Sequence, residues 1–328
     1  AVAGAAANLL LLVAPSYGAA LAGRALTGAF LAGVYPPAMK MAATWFKARR
    51  GIAIAVIVGA LTIGKATPYL WQAMPALPMS VPILAASLSA LLAAALVLLF
   101  WRDGPHAFPS RPFSWGLIGD VLARPRWWRA TGGYLGHMAE LYSYWAWIPA
   151  FLAASALAQQ AASDSAVDPT RSFLTGGAPA WVGLLAFATI AVGALGCLWG
   201  GLLGDKIGRA RVASRSMLLS GGIAFAIGAS FGRSAWIVGV LALLWGFFVI
   251  ADSAQFSALV TESVPPHAVG TALTLQTSMG FLLTTITIQL IPLMVQWVGW
   301  RGAFVLLGIG PMLGVLALRP LVREERAA

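Results

Sequence analysis

No side chain carries a charge between residues 179 and 204, and none does between residues 217 and 232. Apolar runs near 20 residues long recur along the whole chain, and each is enough to cross a bilayer core of about 30 Å as a helix. A β-barrel would instead show short segments of alternating polarity. Composition agrees: 60% of residues are hydrophobic and 9% charged, whereas soluble chains are about a quarter charged. The expected fold class is an all-α, polytopic membrane protein with the lipid bilayer as its main partner.

The net charge of +11 does not point to nucleic acid, because the charges are placed as an orientation signal. Lys40, Lys47, Arg49, Arg50, Arg102, Arg111, Arg124, Arg126, Arg129, Lys206, Arg209, Arg211, Arg215, Arg319, Arg323 and Arg326 fall at segment ends or loops assigned to the cytoplasm. Arg171, Arg233 and Arg301 lie on the other face, while Arg24 and Lys65 lie inside apolar runs. This is the positive-inside pattern, and the basic face can touch anionic lipid. The lone cysteine, Cys197, sits in an apolar run and reads as a structural thiol. The chain begins at Ala1 with no basic region before its first apolar run, so that run does not read as a signal peptide. It reads as a chain entered midway through a helix.

Ten apolar segments are expected, at residues 1–15, 17–46, 51–74, 82–101, 129–157, 178–204, 212–232, 235–260, 269–298 and 300–318. Residues 102–128 form the one substantial linker in the first part of the chain. Within it, 117–123 is expected to be a short amphipathic helix on the membrane surface. This divides the chain into a first part (1–101), a cytoplasmic linker (102–128), a second part (129–319) and a charged tail (320–328). An even number of spans puts both observed ends on one face, the cytoplasmic one by charge. Residues 158–177, with Asp164, Asp168 and Arg171, form an outer loop.

The stretch Gly201-Leu202-Leu203-Gly204-Asp205-Lys206-Ile207-Gly208-Arg209-Ala210-Arg211 is a tight charged turn between two of these segments. Gly208 suits a backbone position with positive φ, and Asp205 is placed to meet the positive N-terminus of a facing helix. The stretch resembles the loop signature of the major facilitator superfamily, G-x-x-x-D-[RK]-x-G-[RK]-x-[RK]. Further matches are Arg24-Ala25-Leu26-Thr27-Gly28 to the fourth-helix pattern R-x-x-[QT]-G, Trp45-Phe46 with Arg49-Arg50-Gly51 to the turn into the fifth helix, and Gly299-Trp300-Arg301 with Phe304 to the turn into the twelfth. Arg50-Gly51-Ile52-Ala53 and Val269-Gly270-Thr271-Ala272 add the weak internal repetition that two related halves would give. The superfamily has twelve helices in two pseudo-symmetric halves of six. A linker after four segments and before six therefore implies that the first two helices, with their own copy of the signature, are missing. The fifth-helix signature of many drug antiporters, G-x-x-x-G-P-x-x-G-G, is not met by Gly59-Ala60-Leu61-Thr62-Ile63-Gly64-Lys65-Ala66-Thr67-Pro68, and the glycine-rich signature of nitrate porters is absent from the third and ninth segments.

A charge at mid-membrane costs about 2.5–3.5 kcal/mol on insertion scales and marks function by default. Gly133, His137, Glu140 and Tyr144 recur at spacings of four, three and four, which places them on one helical face. His137 and Glu140 are the first candidates for carrying a proton, and Asp252, on a face with Trp245, Phe248 and Gln255, is the second. The plain alternative is that each is a satisfied pair locking the bundle. Arg24, Tyr35, Lys65, Tyr144 and Gln255 are the candidates for binding substrate; Lys65 can also reach an outer interface. Gly201, Asp205, Lys206, Gly208, Arg209 and Arg211 are the expected conformational latch. The Gly200/Gly204 and Gly310/Gly314 pairs read as close-packing sites.

No hydrolytic triad, zinc spacing, phosphate loop or nucleotide motif is present in the sequence, so neither an enzyme, a cofactor nor ATP drive is expected. The resemblance implies a secondary transporter of the bacterial inner membrane, monomeric and working by alternating access, with a gradient as its drive. The positive groups favour proton-coupled import of a small anion such as an organic carboxylate. An exporter of neutral or drug-like solutes, a non-transporting membrane sensor and an inactive fragment remain the alternatives.

Overall fold

The computed structural model describes residues 1–46, 49–72, 74, 77–106, 115–163 and 180–327. Lys47, Arg111 and the outer-loop residues Asp164, Asp168 and Arg171 lie outside the described residues. In chain order the α-helices are α1 (Val2–Leu9), α2 (Tyr17–Ala32), α3 (Tyr35–Trp45), α4 (Arg50–Gln72), α5 (Ser80–Phe100), α6 (Trp115–Leu122), α7 (Pro125–Ser163), α8 (Ala180–Ala191), α9 (Gly193–Ile207), α10 (Arg209–Ala229), α11 (Ala235–Ala251), α12 (Ser253–Ser263), α13 (Val269–Leu307) and α14 (Ile309–Ala327). Seven helical stretches among the described residues are long and apolar enough to cross a membrane, and the chain is an all-α, multi-pass membrane protein.

The chain divides into two compact units. The first holds α1, α2, α3 and α5. Its organising contact is polar: Asn8, buried on α1, donates from Nδ2 to the carbonyl oxygen of Ile83 (3.2 Å) and to Ser87 Oγ (3.0 Å), both on α5. Asn8 Oδ1 in turn accepts from Arg24 on α2 at 3.1 Å. Ser16 caps α2 by accepting the Ala19 N–H at 3.3 Å. One continuous segment was expected over 17–46, kinked by Pro36 and Pro37. The chain breaks instead at Gly33 and Val34, and the prolines occupy the first turn of α3. That turn has no intrahelical acceptor for its N–H groups, so a residue without one fits there.

The second unit holds α4 and α6 to α14. Here α7 is the central helix, packed against α13 and α14. Glycines make this contact close: a Cβ on Gly136 would lie 2.9 Å from Gly314 Cα, and one on Gly310 would lie 2.8 Å from the Gly136 carbonyl oxygen. An aromatic cluster fills the other end of the same helices, where Phe151 stacks on Phe304 at 4.6 Å and Trp300 meets both. A second seam runs along α9. A Cβ on Gly196 or Gly200 would collide with the carbonyl oxygens of Phe247 or Ala251, and one on Gly204 with the amide of Gln255. The opposite side of α9 takes α4, where a Cβ on Gly201 would lie 2.7 Å from the Ala55 methyl.

Segment boundaries depart from expectation where backbone breaks intervene. The expected segment 235–260 is two helices separated at Asp252, and the expected segment 178–204 breaks at Val192. Gly299, at the expected turn, has φ +67 and ψ 176 and interrupts α13; a glycine pays no steric penalty there. The tail is not loose, because α14 continues through the charged residues to Ala327.

Candidate functional site

Three titratable side chains are buried inside the second unit. His137, Glu140 and Asp252 are each only 1% exposed. The first two share a face of α7, one turn apart, and Asp252 comes from the α11–α12 junction. There the Gln255 N–H returns to the Asp252 carbonyl oxygen at 2.9 Å, a tight turn in place of the helical ladder. His137 Nδ1 lies 2.9 Å from Asp252 Oδ1, and His137 Nε2 lies 2.6 Å from Ser253 Oγ. Tyr134 and Phe256 flank the ring.

Glu140 is held separately. Its Oε2 accepts from Ser220 Oγ on α10 at 2.8 Å, and its Oε1 accepts from Trp245 Nε1 on α11 at 2.8 Å. Trp245 also packs on Tyr144 at 4.7 Å, and the Tyr144 hydroxyl donates to the Thr189 carbonyl oxygen at 3.1 Å. A face of α7 is thereby tied to α8, α10, α11 and α12 by polar contacts in an otherwise apolar core. Buried polar groups are held by hydrogen-bond partners, and here those partners come from several helices at once.

Gln255 is fully buried against Gly204, and neither its Oε1 nor its Nε2 has a hydrogen-bond partner among the described residues. Lys65 on α4 holds its Nζ 5.6 Å over the Tyr142 ring and 5.9 Å over the Trp145 ring. That arrangement stabilises a cation by the negative ring faces. Tyr69, one turn further on, donates to the Trp145 carbonyl oxygen at 3.1 Å. Arg24 and Tyr35 belong to the first unit, where Arg24 is bound to Asn8 and Tyr35 opens α3.

The charged turn between α9 and α10 is a network of its own. Gly208 has φ +107. Asp205 Oδ1 lies 3.0 Å from Arg209 Nη2, and Arg209 Nε donates to Glu262 Oε1 at the end of α12 at 2.8 Å. A Cβ on Gly51 would lie 2.7 Å from Asp205 Oδ1, so the carboxylate sits at the first turn of α4, where the helix dipole is positive. Glu325 of α14 accepts from the N–H groups of Ala210 (2.7 Å) and Arg211 (3.0 Å), capping α10 from another helix. Arg211 Nη2 also donates to the Glu325 backbone oxygen. Beside it, Glu324 takes Arg126 and Arg129 from the start of α7 at 2.8 and 3.0 Å. Lys206 lies in the last turn of α9.

Sequence reasoning missed Ser220, Ser253, Asn8 and Glu325. Asn8 is the one amide in the first apolar run, which is a usable signal. Ser220 and Ser253 look like any small polar residue in a membrane helix. Among the described residues no group of three His, Cys, Asp or Glu side chains is arranged to hold a metal ion.

A sequence model described as the Major Facilitator Superfamily matches residues 152–328. The fold is similar to that of the human organic anion transporter MFSD10 (TETRAN), with a TM-score of 0.70 at 19% identity, over 96% of this chain and 74% of that one. A bacterial homologue of the iron transporter ferroportin in its outward-facing state gives a TM-score of 0.47 at 12% identity, over 100% of this chain and 97% of that one. No curated protein matches the sequence at a significant level.

Proposed function

Because this chain belongs to the Major Facilitator Superfamily, and so is a transporter and not an enzyme, we propose that it imports a small organic anion by proton-coupled alternating access. One observation carries the coupling: His137, Glu140 and Asp252 are nearly inaccessible within the helix bundle, His137 and Glu140 on hydrogen-bonded partners from other helices and Asp252 beside the His137 ring. Ionisable groups in a membrane interior are costly, and ones that can carry a proton suit a relay. Asp252 also stands at a broken helix, the place where transporter backbones leave the regular ladder.

The anion reading rests on this chain's cations. Arg24 is oriented by Asn8, and Lys65 stands over two aromatic rings. Each offers positive charge to a carboxylate. The MFSD10 structure is named for an organic anion, in keeping with this, but at 19% identity the likeness carries the fold alone. Tyr35 in the first unit, and Tyr144 and Gln255 in the second, are each proposed as polar substrate contacts within their own unit. The Asp205–Arg209–Glu262 chain and the Glu325 cap are proposed as the conformational latch, on the cytoplasmic side of a bacterial inner membrane.

The test is uptake of pooled labelled carboxylates into proteoliposomes under an imposed proton gradient, with Glu140→Gln alongside. Uptake that follows the gradient in the wild type and loses that dependence in the variant is the expected result. No uptake by folded wild-type protein removes the anion reading. A variant with unchanged gradient dependence makes Glu140 structural and moves the coupling role to Asp252.

A further inference from the structure

A hydroxyl carries one proton, and at Ser220 two acceptors stand within reach of it. Ser220 Oγ lies 2.8 Å from Glu140 Oε2 and 3.2 Å from the carbonyl oxygen of Met217, one turn back on α10. The other carboxyl oxygen of Glu140 faces the Trp245 indole N–H at 2.8 Å. An indole nitrogen only donates. Oε1 therefore faces a donor in every state, and Oε2, facing Ser220, is the oxygen placed to carry a proton and pass it into a hydrogen bond.

The two protonation states then have two complete hydrogen-bond patterns. With Glu140 ionised, the Ser220 hydroxyl donates to Oε2. With Glu140 protonated, Oε2–H donates to Ser220 Oγ and the serine proton turns to the Met217 carbonyl oxygen. No heavy atom has to move, and no buried polar atom of the trio is left without a partner in either state. An unpartnered buried group is what makes a protonation change expensive, and the serine removes that expense.

We propose that Ser220 is a positioning residue that lets Glu140 gain and lose a proton in place, keeping α7 and α10 joined in both states. This rests on the reading of Glu140 as a coupling acid. The titratable groups facing Glu140 are Asp252, from the α11–α12 junction, and Tyr144 on α7 itself. His137, also on α7, is turned to Asp252 and Ser253. From α10 and α11 the contacts are Ser220 and Trp245, and of these two only the serine can both give and accept a hydrogen bond.

The experiment is infrared difference spectroscopy across pH on the full chain in lipid, without substrate, paired with proteoliposome uptake. The Glu140 carboxyl band is identified by its absence from Glu140→Gln. In Ser220→Ala the band changes frequency, because protonated Oε2 has lost its acceptor; in Ser220→Thr, which keeps a hydroxyl, it holds the wild-type position. The pH profile of uptake is displaced by about one pH unit in Ser220→Ala, the size expected from one hydrogen bond, and stays in place in Ser220→Thr. A serine that merely fills space would leave both readouts unmoved in Ser220→Ala, and that result overturns the proposal. So does the absence of a protonated Glu140 band at every pH where the protein is folded. Should Ser220→Ala not fold, Ser220→Cys, a weaker donor and acceptor of similar size, takes its place with the same expected shifts in reduced form. A band that responds to Ser220 while uptake ignores the proton gradient leaves Ser220 in its role and sinks the coupling reading instead.

Discussion

His137 Nδ1 lies 2.9 Å from Asp252 Oδ1, across the junction where α11 gives way to α12. The next residue, Ser253, meets the opposite edge of the same ring at 2.6 Å. A neutral imidazole has one donor and one acceptor. Nδ1 stands beside the carboxylate without a hydrogen bond to it, and Nε2 pairs with the serine hydroxyl, whose direction follows the tautomer. Two consecutive residues at a helix break are thus read by one side chain of a neighbouring helix.

Removing one partner strands the other in an apolar core. Asp252→Ala is expected to lower unfolding stability by about 1–3 kcal/mol, the cost of a buried polar ring left without its partner, measured by thermal or denaturant unfolding in detergent. The double variant His137→Gln with Asp252→Asn is expected to be less destabilised than the sum of its single changes by at least about 0.5 kcal/mol, as coupled neighbours are. Additive losses would show that the two side chains do not interact in solution.

The cap on α10 depends on a glycine and a distant glutamate. At Gly208, φ is +107 and a Cβ would strike Glu325 Oε2. Gly208→Ala is expected to cost about 1–2 kcal/mol from backbone strain alone, and more with the carboxylate displaced. Glu325→Ala uncovers two N–H groups of the first turn and is expected to cost about 0.5–2 kcal/mol. Its effect should shrink as salt is added, because part of the interaction is charge on dipole. Thermal shifts at low and high salt check both.

Two glycines predict opposite outcomes for the same substitution. Gly196→Ala drives a methyl into the Phe247 carbonyl oxygen, while a Cβ on Gly222 meets nothing within 4 Å. The first is expected to lose folded protein, seen as aggregation in size-exclusion profiles. The second is expected to be neutral or to stabilise by up to about 1 kcal/mol, since alanine is the better helix former.

Asn8 has its amide orientation fixed, because Nδ2 must face the Ile83 carbonyl oxygen, leaving Oδ1 for Arg24. Asn8→Asp places a carboxylate against that guanidinium and neutralises it. Uptake of labelled carboxylates is expected to fall about tenfold or more, the loss of one charge-assisted contact. Unchanged uptake would remove Arg24 from the substrate path.

Sequence made some of this legible and hid the rest for identifiable reasons. The recurrence of His137, Glu140 and Tyr144 on α7 follows from helical spacing, and the structure does set them on one buried face. The positive φ at Gly208 and the interruption at Gly299 followed from glycine beside charge or between apolar runs. The break at Asp252 did not, because neither glycine nor proline marks it. Without that break, Asp252 and Ser253 point about 100° apart along a regular helix, and their shared hold on His137 cannot be inferred. Pro36 and Pro37 misled in the other direction, since a proline pair serves equally as a kink or as a helix start. Glu325 sat among tail charges that resemble a solvated end, and only the third dimension brings it to α10.

The seam along α9 has a mechanical meaning. Gly193, Gly196 and Gly200 present bare backbone to the carbonyl oxygens and small groups of α11. The carbonyl oxygens of α11 sit in the notches left by the missing Cβ atoms, so the fit sets the register of one helix on the other. Trp199 adds ring contacts with Phe247 and Phe248 at 5.7 and 6.0 Å, and the Cys197 sulfur meets the Ile250 carbonyl oxygen at 3.5 Å. The seam is a toothed rack cut in backbone, and it keeps α9 in step with the junction that carries Asp252.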